Sequence, residues 1–383
     1  MKETIIFCEF VTKMIVRLSY FLVLFLLYFS EGQRRIRFGQ KVTTPKRYMV
    51  YLTQAKRHYD SWICGGAIIS RFHILTSAAC VEDVTDLYAI SGTMSYISPN
   101  KIHHNVCSKN TKRKIVYTCI PKEYKLDYEK VDVWSYNDIA VVRVDIQYDF
   151  SDPLYDKHCQ FRPNSIPINF NIANENKGRA VVTFGFGHQS LWRLKHTTDD
   201  YNYADLMYTS AQISDQGKCK AAYLKPNLTE NIEKYMICTN ASGNIDSNGK
   251  LVQRRTDSVN EDDSLTRRQG GICQNDHGGP LVTWINEEET VLGVGSVFRV
   301  NKESKCEGPY LYTSTARNKV FIECLLEETH DRRSFDICNQ EASELGFKIV
   351  RRYVVWNEDD AAIVDDSEVK IRKQINMNFV GMG

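Results

Sequence analysis

Short alternating or wholly apolar runs, parted by polar turns, fill the chain from about residue 47 to 325. "YMVYLTQ", "GGAIIS", "HILTSAA", "IAVVRVDI", "AVVTFGFG", "PLVTWI" and "TVLGVGSVF" are rich in Val, Ile, Thr and aromatic residues. Such residues suit a pleated, half-buried surface. No long helical period separates the runs, so an all-β barrel or sandwich is predicted. One stretch breaks the pattern. In "ARNKVFIECLLEE" (316–328), Val320, Phe321, Cys324 and Leu325 fall at helical spacing and predict a closing helix.

Two segments read as lying outside this core. Residues 240–270 are polar and charged, the mark of a long mobile surface loop, with arginine pairs at 254–255 and 267–268 exposed to trypsin-like cleavage. Residues 329–383 form a charged C-terminal extension with Cys338 and one strand-like piece, "KIVRRYVVW". At the N-terminus an apolar run from Tyr20 to Tyr28 follows Lys13 and Arg17 and precedes Ser30, Glu31 and Gly32. A basic flank, a short apolar core and small or polar residues describe a secretory signal over 1–30. The run is short for a bilayer span, which disfavours the alternative of a membrane anchor. A start at Met14 gives the more typical signal. No other stretch is apolar enough to cross, so no membrane partner is expected of the mature form.

Composition narrows the picture further. A chain of 383 residues, 43% hydrophobic and 25% charged, supports one large domain or two modest ones. The net charge of +2 gives no bulk attraction to nucleic acid or anionic membrane, and no nucleic-acid partner is expected. Twelve cysteines, one of them Cys8 in the signal, fit an oxidised extracellular protein better than cytosol. The odd number left in the mature chain implies at least one free or intermolecular thiol. Asn227 and Asn240 open sequons that become glycosylation sites in that compartment.

Four stretches, in order, carry a likeness over roughly 36–327: "ICGGAIISRFHILTSAAC" (63–80), "NDIAVVRV" (137–144), "VVTFGFG" (181–187) and "CQNDHGGPLV" (273–282) with "GVGSVF" after it. Together they resemble the chymotrypsin-like serine proteases. The resemblance implies two six-stranded antiparallel β-barrels with a catalytic cleft between them. It places a short propeptide at 31–35 and a protease-like domain at 36–328, its first barrel about 36–150 and its second about 165–328. It also implies disulfides Cys64–Cys80, Cys219–Cys238 and Cys273–Cys306. Thr283 stands where a further family cysteine would be. Cys107, Cys119, Cys159, Cys324 and Cys338 have no assignment from the motifs, although a Cys324–Cys338 bridge would tie the extension to the closing helix.

The family's chemistry needs a serine oxygen, an imidazole that takes its proton, and a buried carboxylate that orients the imidazole. The resemblance gives the carboxylate as Asp138. It puts Ala79 where the histidine belongs and His277 where the serine belongs. His73 lies on the strand entering the site and is expected to point elsewhere. The oxyanion position, glycine in the family, is Asn275. The pocket floor is Gly271, without the acidic group of trypsin-like enzymes. The pocket wall reads Ser296, Val297 and Phe298, and a phenyl ring at the last position is expected to plug the pocket. Cleavage after Arg35 would free Ile36 to pair with Asp276, but Arg37 follows where the family buries a valine. Local backbone is the alternative partner for Asp276.

A metal site on His277 and Asp138 lacks further ligands at known spacing, so no metal and no cofactor is expected. The sequence points to a secreted, non-catalytic protease homologue that binds or regulates extracellular proteins, such as proteases or their substrates. The alternatives are a serine-type endopeptidase with a non-standard site and a structural secretion protein.

Overall fold

The computed structural model describes residues 39–54, 63–127, 129–187, 202–252, 270–326 and 349–354. The signal, Arg35, Ile36, Cys338 and both arginine pairs lie outside the described residues. Of the two units into which the chain divides, Met1–Arg34 contains no described residue, and everything below concerns Arg35–Gly383.

A two-residue strand, β1 (Gln40–Lys41), precedes the first barrel. That barrel is built from β2 (Met49–Gln54), β3 (Ile63–Ile68), β4 (His73–Thr76), β5 (Leu87–Ile90), β6 (Arg113–Pro121) and β7 (Ala140–Val144). These strands run antiparallel in the order β6-β5-β2-β3-β4-β7, and a β6–β7 pairing closes the ring. The second barrel is built from β8 (Ala180–Gly185), β9 (Met207–Ile213), β10 (Met236–Ser242), β11 (Pro280–Ile285), β12 (Glu288–Val300) and β13 (Cys306–Ser314). Their order is β9-β10-β13-β12-β11-β8, closed by β8 on β9, with β1 added outside β9. Short helices occupy the connections: α1 (Val106–Thr111), α2 (Val131–Trp134), α3 (Pro153–His158), α4 (Gln216–Ala222) and α5 (Thr229–Tyr235).

Strand periodicity explains how two barrels share one core. Successive side chains on a strand point to opposite faces. On β2, Val50 and Leu52 join Ile74, Ile115 and Val142 in one apolar cluster, whereas Met49 and Tyr51 join Leu75, Val182 and Phe184 in another. Both clusters take residues from each barrel, Val297 and Leu311 entering the first and Val182 and Phe184 the second, and together they form the seam. A third cluster of Val181, Leu281, Leu292, Phe298, Tyr310 and Tyr312 belongs to the second barrel. The expected closing helix is α6 (Lys319–Leu326), and it lays Phe321, Ile322 and Leu325 into the seam. At one point the seam admits only glycine. A Cβ on Gly65 of β3 would lie 2.5 Å from the Gly279 Cα.

Two segments expected outside the core are partly built into it. The extension supplies β14 (Ile349–Tyr353), which pairs antiparallel with β6 from Tyr117 to Pro121. It takes the edge of β6 that β5, paired only at Arg113 and Lys114, leaves open. Residues 243–252 are also ordered rather than loose. Ile245 bridges to Leu251, and Asp246 accepts from Asn248 N at 2.8 Å and Lys250 N at 2.9 Å. Asn248 then meets the buried Lys46, which also pairs with Glu289. Local Asx turns explain why so polar a stretch holds a shape.

Candidate active-site region

The turn after β4 carries the position that the resemblance gives to the catalytic imidazole. It is a single 3-10 turn, Ala78–Cys80, fixed by the Cys64–Cys80 disulfide. Asp138 reaches it from the chain before β7. One carboxylate oxygen, Oδ1, accepts from Ala79 N at 2.8 Å, and Oδ2 accepts from Ser296 Oγ at 2.7 Å. Asp138 is wholly buried. That burial pushes its pKa up to about 7, against the opposing hydrogen bonds from Ala79, Ser296 and Ala78. The buried Ala79 lies in the apolar cluster that takes residues from both barrels. The carboxylate therefore anchors the turn backbone and Ser296, and the turn offers it a methyl group instead of an imidazole.

His277 sits on the loop between the Cys273 bridge and β11. Its carbonyl accepts from Gly65 N at 2.7 Å, which ties it to the first barrel. Its ring lies against Trp134, at 6.0 Å between centroids, and against Phe298, at 5.4 Å. The residue is 5% exposed, and its Nε2 has no hydrogen-bond partner among the described residues. Desolvation lowers its pKa to about 4, with a Ser296 backbone bond opposing. The imidazole is thus neutral at neutral pH and packed as an aromatic ring.

The neighbouring loop keeps its shape by other means. Asn275 adopts φ 71°, a left-handed conformation that asparagine tolerates better than most residues. Its Nδ2 donates to Asn202 Oδ1 at 2.8 Å. Buried Asp276 accepts from Gly187 N at 2.8 Å on Oδ1 and from Cys273 N at 3.0 Å on Oδ2. Burial raises its pKa to about 7. A Cβ on Gly187 would lie 2.3 Å from that carboxylate, so glycine is required for the approach.

Side chains pack closely at the positions that the resemblance gives to the pocket. Phe298 is fully buried beside Ile272 and Cys273 in the second-barrel cluster. Val297, the preceding residue, faces the other way into the cluster that holds Ala79 and Leu311. Gly271 lies against Tyr310, whose ring would be 2.3 Å from a Cβ built at the glycine. Tyr310 was not among the residues singled out from sequence. A signal existed: it follows Cys306 by four residues, and Cys306 is bonded to Cys273, two residues beyond Gly271. One disulfide therefore brings both residues together.

The remaining candidates fall elsewhere. The three disulfides implied by the resemblance are present, and a fourth joins Cys107 to Cys159. His73 on β4 shares a hydrogen bond between Nδ1 and Ser70 Oγ at 2.9 Å, away from the site. Asn227 is exposed and accepts from Thr229 N at 3.1 Å. Asn240 is half-buried on β10, at a bulge between Thr239 and Ala241. Among the described residues, no group of three His, Cys, Asp or Glu side chains could hold a metal ion.

Paired barrels, a buried Asp138–Ser296 bond and the loop around Asp276 all match the trypsin architecture, and the sequence profile of the family, Trypsin, matches residues 36–249. This chain belongs to the trypsin family. A second profile, the Nematode trypsin-6-like family, matches residues 224–321. Among curated relatives, Venom serine protease Bi-VSP of Bombus ignitus is 24% identical over 255 residues, which is 66% of this chain and 56% of that protein. Venom serine protease 34 of Apis mellifera is 26% identical over 246 residues, 63% of this chain and 47% of that protein. This trypsin-family chain thus spans about half the length of the curated relatives it matches. The crystal structure of scabies mite inactivated protease paralogue S-D1 superposes with a TM-score of 0.50 at 16% identity, over 76% of this chain and 97% of that one. At that identity the likeness is one of fold.

Proposed function

We propose that this trypsin-family chain is secreted and non-catalytic, and that it acts as a protein-binding or regulatory module in an extracellular proteolytic pathway. One observation carries the reading: His277, at the nucleophile's position, is buried against Trp134 and Phe298. Ala79, at the base's position, offers no proton acceptor. An imidazole can be nucleophilic in principle, but it needs access to substrate and a partner that manages its proton. Neither need is met.

The pocket supports the same reading. Phe298 and Tyr310 fill the space that a substrate side chain would enter, and Gly271 brings no counter-charge. Binding then falls to the loops around the rim, with extracellular proteases or their substrates as partners. The four disulfides fit an oxidising compartment. Two arms test the proposal. A fluorophosphonate probe should leave the purified protein unlabelled, and a pull-down from the secreting fluid should capture a discrete protein partner. Labelling lost on His277→Ala would overturn it, as would a pull-down no different from a denatured control.

A further inference from the structure

Between Leu87 and Lys122 the chain carries five lysines, one arginine and two histidines, and no Asp or Glu. The whole protein is nearly balanced, with 49 Lys and Arg against 47 Asp and Glu. The asymmetry is therefore local, and the fold concentrates it. Lys101 closes a 3-10 turn, and its carbonyl accepts from His104 N at 3.0 Å and Asn105 N at 2.7 Å. Asn105 caps α1, accepting from Cys107 N at 2.9 Å and Ser108 N at 3.2 Å, which aims the helix that bears Lys109. Tyr88 of β5 underlies the corner. Lys112 Nζ lies 5.2 Å from its ring centroid, and the His103 ring meets it edge-on at 5.8 Å.

The Cys107–Cys159 disulfide adds the second element. With Cα atoms 4.7 Å apart, it ties α1 to the C-terminal end of α3, which ends in Lys157 and His158. Lys101, His104, Lys109 and Lys157 are all exposed. The acids next to them are engaged. Asp156 forms a pair of contacts with Arg162, Asp152 caps α3 through Leu154 N at 2.8 Å, and Asp149 accepts from Ser151. The result is a rigid group of exposed cations, stapled by a bridge and set on a barrel wall.

We propose that this face of the first barrel binds a sulfated polysaccharide. Exposed lysine ammoniums are compact point charges that can track sulfates repeated along a chain without demanding one fixed geometry. A local concentration of one sign raises the on-rate for such a polyanion even when net charge is near zero. Other polyanions fit less well. Tyr88 is buried, so no aromatic face is offered for base stacking. Val106 and Leu154 are the exposed large apolar side chains of α1 and α3, too few for the apolar face of an interfacial helix. The inference rests on the extracellular reading above, since that is where sulfated glycans are met, but not on the filled cleft.

The test uses the full secreted chain and size-fractionated heparin as the probe, by affinity chromatography and calorimetry at several salt concentrations. Lys101→Glu, Lys109→Glu and Lys157→Glu together should weaken binding by about tenfold or more, because three cations on the two stapled elements become anions. The same number of reversals on the second barrel, Lys218→Glu, Lys225→Glu and Lys302→Glu, should change it less than about twofold. No retention of the wild type, or equal losses in both variants, would overturn the proposal. Equal affinity for duplex DNA or for phosphatidylserine vesicles would overturn the assignment to a sulfated glycan. Peptidase activity in a protein that still binds heparin would remove the non-catalytic reading and leave this one standing.

Discussion

On the proposed reading, two residues decide the chemistry, and they act together. His277→Ser restores a hydroxyl without a base, and Ala79→His restores a base without a nucleophile. Triad members work as a unit, so neither single change should raise peptide hydrolysis above buffer. Ala79 is also buried, and an imidazole inserted there overpacks the core at a cost of about 1–3 kcal/mol. Thermal denaturation of Ala79→His should show that loss. An unchanged midpoint would mean that the site has room for a ring. Asp138 gives a prediction in pH. Its folded pKa of about 7 lies above the ordinary carboxylate value, so the folded state holds a proton that the unfolded state releases. That contribution is full below the unfolded pKa and is lost as pH rises through about 7. Asp138→Asn removes this titration, so its urea midpoint should fall less than the wild type's between about pH 4 and 7. Equal slopes would mean that Asp138 is ionised in the fold. Buried Asp276 contributes in the same sense, and His277 in the opposite one, since its folded pKa is depressed.

At the scale of elements, β14 and the Cys107–Cys159 bridge show what sequence alone leaves open. Short strands are legible because apolar alternation is local, and the positions of Ala79, Asp138 and His277 are legible because each sits in a contiguous motif. Pairing between distant segments has no such local sign. Cys107 and Cys159 meet only once α1 and α3 are packed, and Tyr310 reaches Gly271 only across the Cys273–Cys306 bridge. The strand-like piece in the extension was visible in its apolar pattern, but not the β6 edge that it covers. Truncation before residue 349 leaves that edge without its ladder partner. Such a deletion should lower stability by about 1–3 kcal/mol, the net worth of a few ladder hydrogen bonds exchanged for bonds to water. Chemical denaturation of the shortened chain measures it. No change in midpoint would show that β14 adds nothing to the first barrel.

For the whole molecule, the two barrels keep the family's frame while the side chains at the expected site positions, His277 and Phe298 among them, are buried. Phe298 and Tyr310 are buried at the expected pocket positions, and Gly271 supplies no carboxylate to a basic group. Benzamidine should therefore show no heat of binding in calorimetry, and saturable binding to the unmodified protein would mean that the pocket is open. On the proposed reading, function depends on outer surfaces such as the rim loops and the basic face around α1. The most direct measurement is turnover of chromogenic peptide and ester substrates by the purified full-length protein. It is made before and after treatment with immobilised trypsin, so that any activation cleavage is covered. The rate should stay at that of buffer in both states and should be the same for His277→Ala. Turnover above buffer that His277→Ala abolishes would contradict a non-catalytic protein.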